Sequence, residues 1–205
     1  ENYGKAKITK IEDKWILSKL NSLIKTFTEE LENLHPHTAT RSLQNFWLND
    51  LSRGYVHLVR DRLASNDLEA KFVLKEVYIN LIKICAPIIP FVTEDSWQNM
   101  LKKKIVKEDS VHLCSWPKEN KKLIDKKLEE RFEIILKIIV SGLATRDKIQ
   151  IGLKWPLARA EIKINNFKTK KDEEEIIKSQ LNVKKLEFIM IKDESNEIEI
   201  EFDIK

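Results

Sequence analysis

The sequence predicts a mainly α fold, an antiparallel helical bundle over residues 1–150, followed by a small α+β module over residues 151–205. Three observations carry this prediction. Up to about Gln150, apolar residues recur at the i, i+3, i+4, i+7 spacing of amphipathic helices. Prolines and short polar residues interrupt those stripes where helices should end. Beyond Gly152 the apolar period changes to two, the repeat of a half-buried strand. Composition agrees, since 42% hydrophobic and 34% charged residues with four glycines suit a folded, helix-rich chain. At 205 residues the chain is long enough to bury a real core.

The first stripe runs through Ile16, Leu20, Leu23, Ile24, Phe27, Leu31 and Leu34. His35-Pro36 ends it, because the residue before proline is pushed out of the helical region. A second stripe joins Leu43, Phe46, Trp47, Leu51, Tyr55, Leu58 and Val59, with Thr38 as the expected N-cap and Ser65-Asn66-Asp67 as its close. A third helix is expected from Leu68 to Ala86, stopping at Pro87. A fourth opens on Pro90 and runs past Trp97 to Leu101, where Lys102 to Lys104 suit the carbonyl end of the dipole. After the segment Ser110 to Pro117, a long helix from about Leu123 to Arg146 completes the bundle. The module then reads as a strand from Ala158 to Ile164, a helix from Asp172 to Leu181, and a strand from Leu186 to Ile191. A turn at Asp193 to Asn196 and a strand from Ile198 to Ile204 follow. Trp15, Trp97 and Trp116 each lie beside an apolar stripe and read as core anchors.

Several function classes are excluded by what is missing. No apolar run approaches the ~20 residues of a bilayer span, so no membrane partner is expected. The chain opens on Glu1 with a polar segment and no apolar signal region, which suggests a piece excised from a longer cytoplasmic protein. Cys85 and Cys114 are far apart and read as reduced thiols. His35, His37, His57 and His112 show no metal-ligand spacing, and the scattered glycines cannot form a phosphate loop. Glu197, Glu199, Glu201 and Asp203 share one strand face. That face reads as solvated rather than as a two-metal site, because metal ligands usually come from several elements. No catalytic or metal residue is therefore nominated, and a binding role is left. A net charge of +4, from 37 basic and 33 acidic residues, permits a nucleic-acid partner without demanding one.

Four motifs resemble one family. Asp13-Lys14-Trp15-Ile16-Leu17-Ser18 is similar to the segment that opens the anticodon-binding bundle of the isoleucyl, valyl and leucyl class I aminoacyl-tRNA synthetases. Asp50-Leu51-Ser52-Arg53, Tyr55 and Arg60-Asp61-Arg62 resemble that family's second helix. Ala86-Pro87-Ile88-Ile89-Pro90-Phe91-Val92-Thr93-Glu94 resembles its helix-breaking turn, and Ser110-Val111-His112 with Trp116-Pro117 its crossing segment. In the second half, Arg146-Asp147-Lys148, Lys154-Trp155-Pro156-Leu157 and Gln180 to Leu186 resemble archaeal and eukaryotic-type isoleucyl enzymes. Gly54 departs from the family's usual aromatic residue, and Gln150-Ile151-Gly152 departs from the bacterial order.

The resemblance implies a monomeric tRNA-binding part of an isoleucyl enzyme, with isoleucine tRNA and the parent's catalytic domain as partners. It implies that ATP and magnesium act in that catalytic domain, because the family's His-x-Gly-His and Lys-Met-Ser-Lys signatures are absent here. This chain needs no cofactor and should be inactive without the rest. The residues nominated for tRNA are Arg41, Arg53, Arg60 and Arg62 on the second helix, and Lys148, Lys154 and Trp155 at the junction. Each also has a plain structural reading. Arg53 is placed to pair with Asp50, Arg60 and Arg62 suit a solvated face, and Trp155 reads first as a packing residue. A valyl enzyme shares the bundle motifs, and a helical protein-interaction module shares the stripes; RNA affinity that falls with salt separates the last from a tRNA binder.

Overall fold

The computed structural model describes residues 8–165, 167–190 and 198–203. The expected turn at Asp193 to Asn196, together with Glu197 and Ile204, lies outside them. The chain divides into two compact units, residues 1–126 and 127–205.

The first unit is a helical bundle. Helix α1 (Ile11–Glu32) packs against α2 (Pro36–Asn45), a π-helical segment (Phe46–Tyr55) and α5 (Leu68–Cys85). Between the last two lie the short α3 (Val56–Leu58) and α4 (Arg60–Ala64), and α6 (Pro90–Lys102) packs on α5. One face of α1 buries Trp15, Ile16, Leu20, Ile24 and Phe27. Trp97 is fully buried beside Ile82, Met100, Val106 and Val111, and its indole N–H donates to the Glu108 carbonyl at 2.8 Å.

Segment 110–125 is strapped to the bundle by side chains that face it. Glu94 accepts from the Ser110 hydroxyl at 2.8 Å and the Val111 amide at 3.1 Å. Trp116 stacks on Phe27 with centroids 6.2 Å apart and donates to Thr28 Oγ1 at 2.9 Å. It is half-buried, a strap rather than the core anchor its sequence context suggested. Asn21 accepts the Asn120 amide at 2.7 Å, and Ser18 accepts the Asp125 amide at 2.8 Å.

Two details of the second helix differ from expectation. It starts at Pro36, not behind Thr38, because proline's fixed φ suits the first helical turn. From Phe46 onward its bonds reach five residues back, as in the Val56 amide bonding the Leu51 carbonyl. The wider coil buries Phe46, then Asp50 and Leu51, then Gly54 and Tyr55, and so turns Trp47 and Leu48 toward solvent.

The second unit begins with α7 (Lys126–Lys148), whose first residue still belongs to the bundle unit. It continues with β1 (Leu157–Ile164), α8 (Lys171–Leu181), β2 (Val183–Met190) and β3 (Glu199–Asp203). The sheet order is β2-β1-β3, with β1 parallel to β2 and antiparallel to β3. The expected boundary near Gln150 therefore moves to Lys126, since α7 joins the sheet unit. Two contacts explain the change. Arg131 on α7 donates to both oxygens of the buried Glu173 on α8 at 2.6 Å each. Gly142 lets the Leu181 side chain approach so closely that an added Cβ would stand 2.5 Å from it. Ala158, expected on the apolar face of β1, is exposed, whereas Leu157, Ala160, Ile162 and Ile164 are buried.

Left-handed residues close five helices, and none of them is glycine. Leu34, Asn66, Lys104, Gln150 and Asn182 have φ between 48° and 65°. At four of these ends the next amide returns to a carbonyl five residues back, as with His35 to Glu30 at 2.8 Å and Ile151 to Arg146 at 3.1 Å. Leu34 is 85% exposed, so its side chain returns little for the strained backbone. Leu34→Gly is expected to stabilise the chain by up to about 1 kcal/mol. A thermal melt checks this, and an unchanged or lowered midpoint contradicts it.

Candidate nucleic-acid interface

The nominated arginines separate into two kinds. Arg62 is withdrawn into the bundle as an ion-pair hub. Its guanidinium reaches Glu12 at 2.6 Å, Asp13 at 2.7 Å and Asp67 at 2.8 Å. Asp13 is fully buried and also accepts the Tyr55 hydroxyl at 2.6 Å. Asp67 turns its other oxygen to the Glu69 and Ala70 amides, capping α5. Burial works against the charge on Arg62, yet its hydrogen bonds to Asp13 and Asp67 hold its pKa above the ordinary arginine value. The Arg62 hydrogen bond draws the Asp67 pKa down, helped by the helix amides. All three nitrogens of Arg62 are engaged with carboxylates, so Arg62 is removed from the RNA-facing set.

Arg41 on α2, Arg53 in the π-helical segment and Arg60 on α4 are exposed. None of them makes a side-chain hydrogen bond or ion pair among the described residues. The anticipated Asp50–Arg53 pair does not form. Asp50 instead takes Lys19 of α1 at 3.2 Å, because the wider π coil buries Asp50 against α1 and leaves Arg53 outside. These three cations therefore make no ion pair among the described residues and lie along one continuous stretch of chain.

In the second unit, Lys148 is the last residue of α7 and is exposed, as is Lys154 in the turn beyond. Trp155, expected to pack, is 71% exposed. The reason is a residue that the sequence reading passed over. Arg146 is buried and donates to the carbonyls of Leu181 at 3.1 Å and Gly152 at 2.9 Å, and to that of Trp155. Holding the Trp155 backbone inward leaves its ring outward. A signal for the buried Arg146 and the half-buried Arg62 was present. Arg146 continues the stripe Phe132, Ile135, Ile139, Gly142, and Arg62 continues Tyr55 and Val59.

A further basic feature went unforeseen. A groove of about 500 Å³ between α5 and α6 has Leu74 and Met100 in its lining and Lys71, Lys75 and Lys103 beside Tyr78. The acidic face of β3 is exposed at Glu199, Glu201 and Asp203, and Lys163 pairs with Glu201 at 2.6 Å and Glu199 at 3.7 Å. No group of three or more His, Cys, Asp or Glu suited to a metal occurs among the described residues, and none of their helices is long and apolar enough to cross a membrane.

The first unit is thus a helical bundle that carries three exposed arginines with no ion pair among the described residues. A family model described as the anticodon-binding domain of tRNA ligase matches residues 13–164, and the chain belongs to that family. It is also similar to curated isoleucine–tRNA ligases. That of Pyrococcus abyssi is 38% identical over 183 residues, covering 85% of this chain and 17% of the relative. That of Methanothrix thermoacetophila is 36% identical over 199 residues, covering 94% and 19%. That of Clostridium novyi is 37% identical over 184 residues, covering 86% and 17%. The chain thus spans about a sixth of the length of the relatives it matches.

Removing the hub's cation should leave a buried carboxylate uncompensated. Arg62→Ala is expected to destabilise the chain by about 3 kcal/mol. Denaturant unfolding checks this, and a loss below about 1 kcal/mol, the range of a surface pair, would mean that the hub is solvated.

Proposed function

We propose that the chain recognises the anticodon arm of isoleucine tRNA as part of an isoleucine–tRNA ligase. The observation that carries the reading is likeness to isoleucine–tRNA ligases at 36–38% identity over 85–94% of the chain. Anticodon bases lie in a single-stranded loop, where they can be splayed, stacked and read along their edges. A packed helical platform suits that task, because base recognition needs donors held in place. Arg41, Arg53 and Arg60 are assigned to the RNA from the first unit, and Lys148, Lys154 and Trp155 from the second. Contacts to phosphate fix orientation, and contacts to bases supply the choice of tRNA.

The parent's catalytic portion is the second proposed partner. ATP and magnesium are assigned to that portion, since the His-x-Gly-His and Lys-Met-Ser-Lys signatures of the family do not occur in this sequence. The reading extends to a monomer working in the cytoplasm, in line with two cysteines that are both free.

Titration of the chain with isoleucine and valine tRNAs over a range of salt tests the proposal. Log affinity is expected to fall linearly with log salt, and to be higher for isoleucine tRNA. Arg53→Gln should weaken both complexes alike and lower the salt slope by about one. Affinity independent of salt would remove the RNA reading, and equal affinity for the two tRNAs would remove the isoleucine assignment. A separate variant locates the face. Glu201→Gln on β3 is expected to leave binding unchanged or slightly tighter, and weakened binding would place RNA against that strand.

A further inference from the structure

The turn after α7 is built in an unusual way. Gln150, in the left-handed region, reverses the chain, and the Ile151 amide returns to the Arg146 carbonyl at 3.1 Å. Next, the Trp155 amide donates to the Gly152 carbonyl at 3.1 Å and closes a second turn. The side chain of Asn182, at the end of α8, donates to the Leu153 carbonyl at 2.8 Å. The Arg146 guanidinium then takes the Gly152 and Trp155 carbonyls from one side and the Leu181 carbonyl from the other. It also lies 5.7 Å from the Phe202 ring centroid.

Arg146 is 2% exposed, and its Nε has no hydrogen-bond partner among the described residues. A buried cation carries a large desolvation penalty, and here neutral carbonyls offset it. A planar fork of donors suits several carbonyls at once, which a lysine ammonium could not match. What this costly anchor secures is a surface turn whose largest side chain points out. Trp155 is 71% exposed, with the exposed Lys154 before it and Pro156 after it. Proline restricts the backbone of Trp155 further. A large flat ring held on a stiff backbone loses little freedom when something stacks on it.

We infer that the Gly152–Pro156 turn is a preorganised stacking site for an unpaired base of single-stranded RNA, with Arg146 as its positioning residue. Trp155 supplies the platform, and Lys154 meets the phosphate that accompanies the stacked base. Arg146 touches no RNA. It acts by fixing where the indole stands. The inference rests on the RNA-binding reading above and names the chemistry of one part of that interface.

The test is a titration of the full chain and its variants with an isoleucine tRNA transcript, with a thermal melt of each protein. Trp155→Ala is expected to weaken binding roughly 5- to 100-fold with an unchanged salt slope, because stacking releases no counterions. Trp155→Phe should keep most of the affinity. Arg146→Lys should fall between the parent and Trp155→Ala. Adding Arg146→Lys to Trp155→Ala should bring no further loss, since Arg146 acts through the ring that is already gone. An Arg146 effect that persists without the ring would reduce Arg146 to a fold-holding residue and overturn its role. Full affinity in Trp155→Ala, with the parent showing salt-dependent binding, overturns the stacking site and leaves the RNA reading standing. Absence of tRNA binding by the parent overturns both.

Discussion

Asp13 is the constraint on which the bundle depends. A fully buried carboxylate on α1 must be matched, and the match comes from two elements far along the chain, Tyr55 at the end of the π-helical segment and Arg62 on α4. Satisfying it sets the distance between α1 and the second helical stretch. Arg62 passes the constraint on by engaging Asp67, which caps α5. Glu69 in the first turn of α5 then accepts the Lys10 amide at 3.0 Å, which closes the loop at the start of α1. One buried charge thus fixes the beginnings of two helices and the end of the stretch between them. Such a cluster adds little net stability over an apolar core but penalises any other register heavily.

The same constraint explains why part of what made the chain recognisable is internal scaffold. Asp13, Trp15, Asp50, Tyr55 and Arg62 carried the resemblance, and all have internal roles in the structure. Glu94, Ser110 and Trp116 likewise strap one segment to the bundle. They form the scaffold, on which Arg41, Arg53 and Arg60 are left outside. Placing Asp50 against Lys19 is what frees Arg53, so core electrostatics and exposed charge are set by one event.

Helices with proline boundaries were legible in the sequence, because Pro36, Pro87 and Pro90 act locally through fixed φ and a missing donor. The β1 and α8 spans were legible from periodicity for the same reason. Three features were not, and each is decided by tertiary contacts. A stripe drawn at 3.6 residues placed Trp47 inward, while the π coil required by Tyr55 and Asp50 put it outside. The amphipathic pattern of α7 showed that it packs but not with which partner, and its membership in the sheet unit comes from Arg131 with Glu173 and from Gly142 under Leu181. Trp155 was read inward from its residue type, whereas its exposure is dictated by where Arg146 pins its carbonyl.

Net charge is a poor guide to this molecule's field, and the structure shows why. An excess of 4 basic residues over 205 describes a nearly neutral chain. Yet Glu12, Asp13 and Asp67 surround Arg62, Asp50 takes Lys19, and Glu173 takes Arg131. Burial acts to raise the pKa of Glu173, but the Arg131 hydrogen bonds and the Lys170 amide outweigh it, so this acid stays ionised and paired. In the first unit Arg62 offsets only part of the charge of the three acids around it, whereas Asp50 is matched by Lys19. The exposed arginines of α2, the π-helical segment and α4 keep their full charge in water. Under the RNA reading proposed above, it is those exposed cations, rather than the total charge, that phosphate would meet.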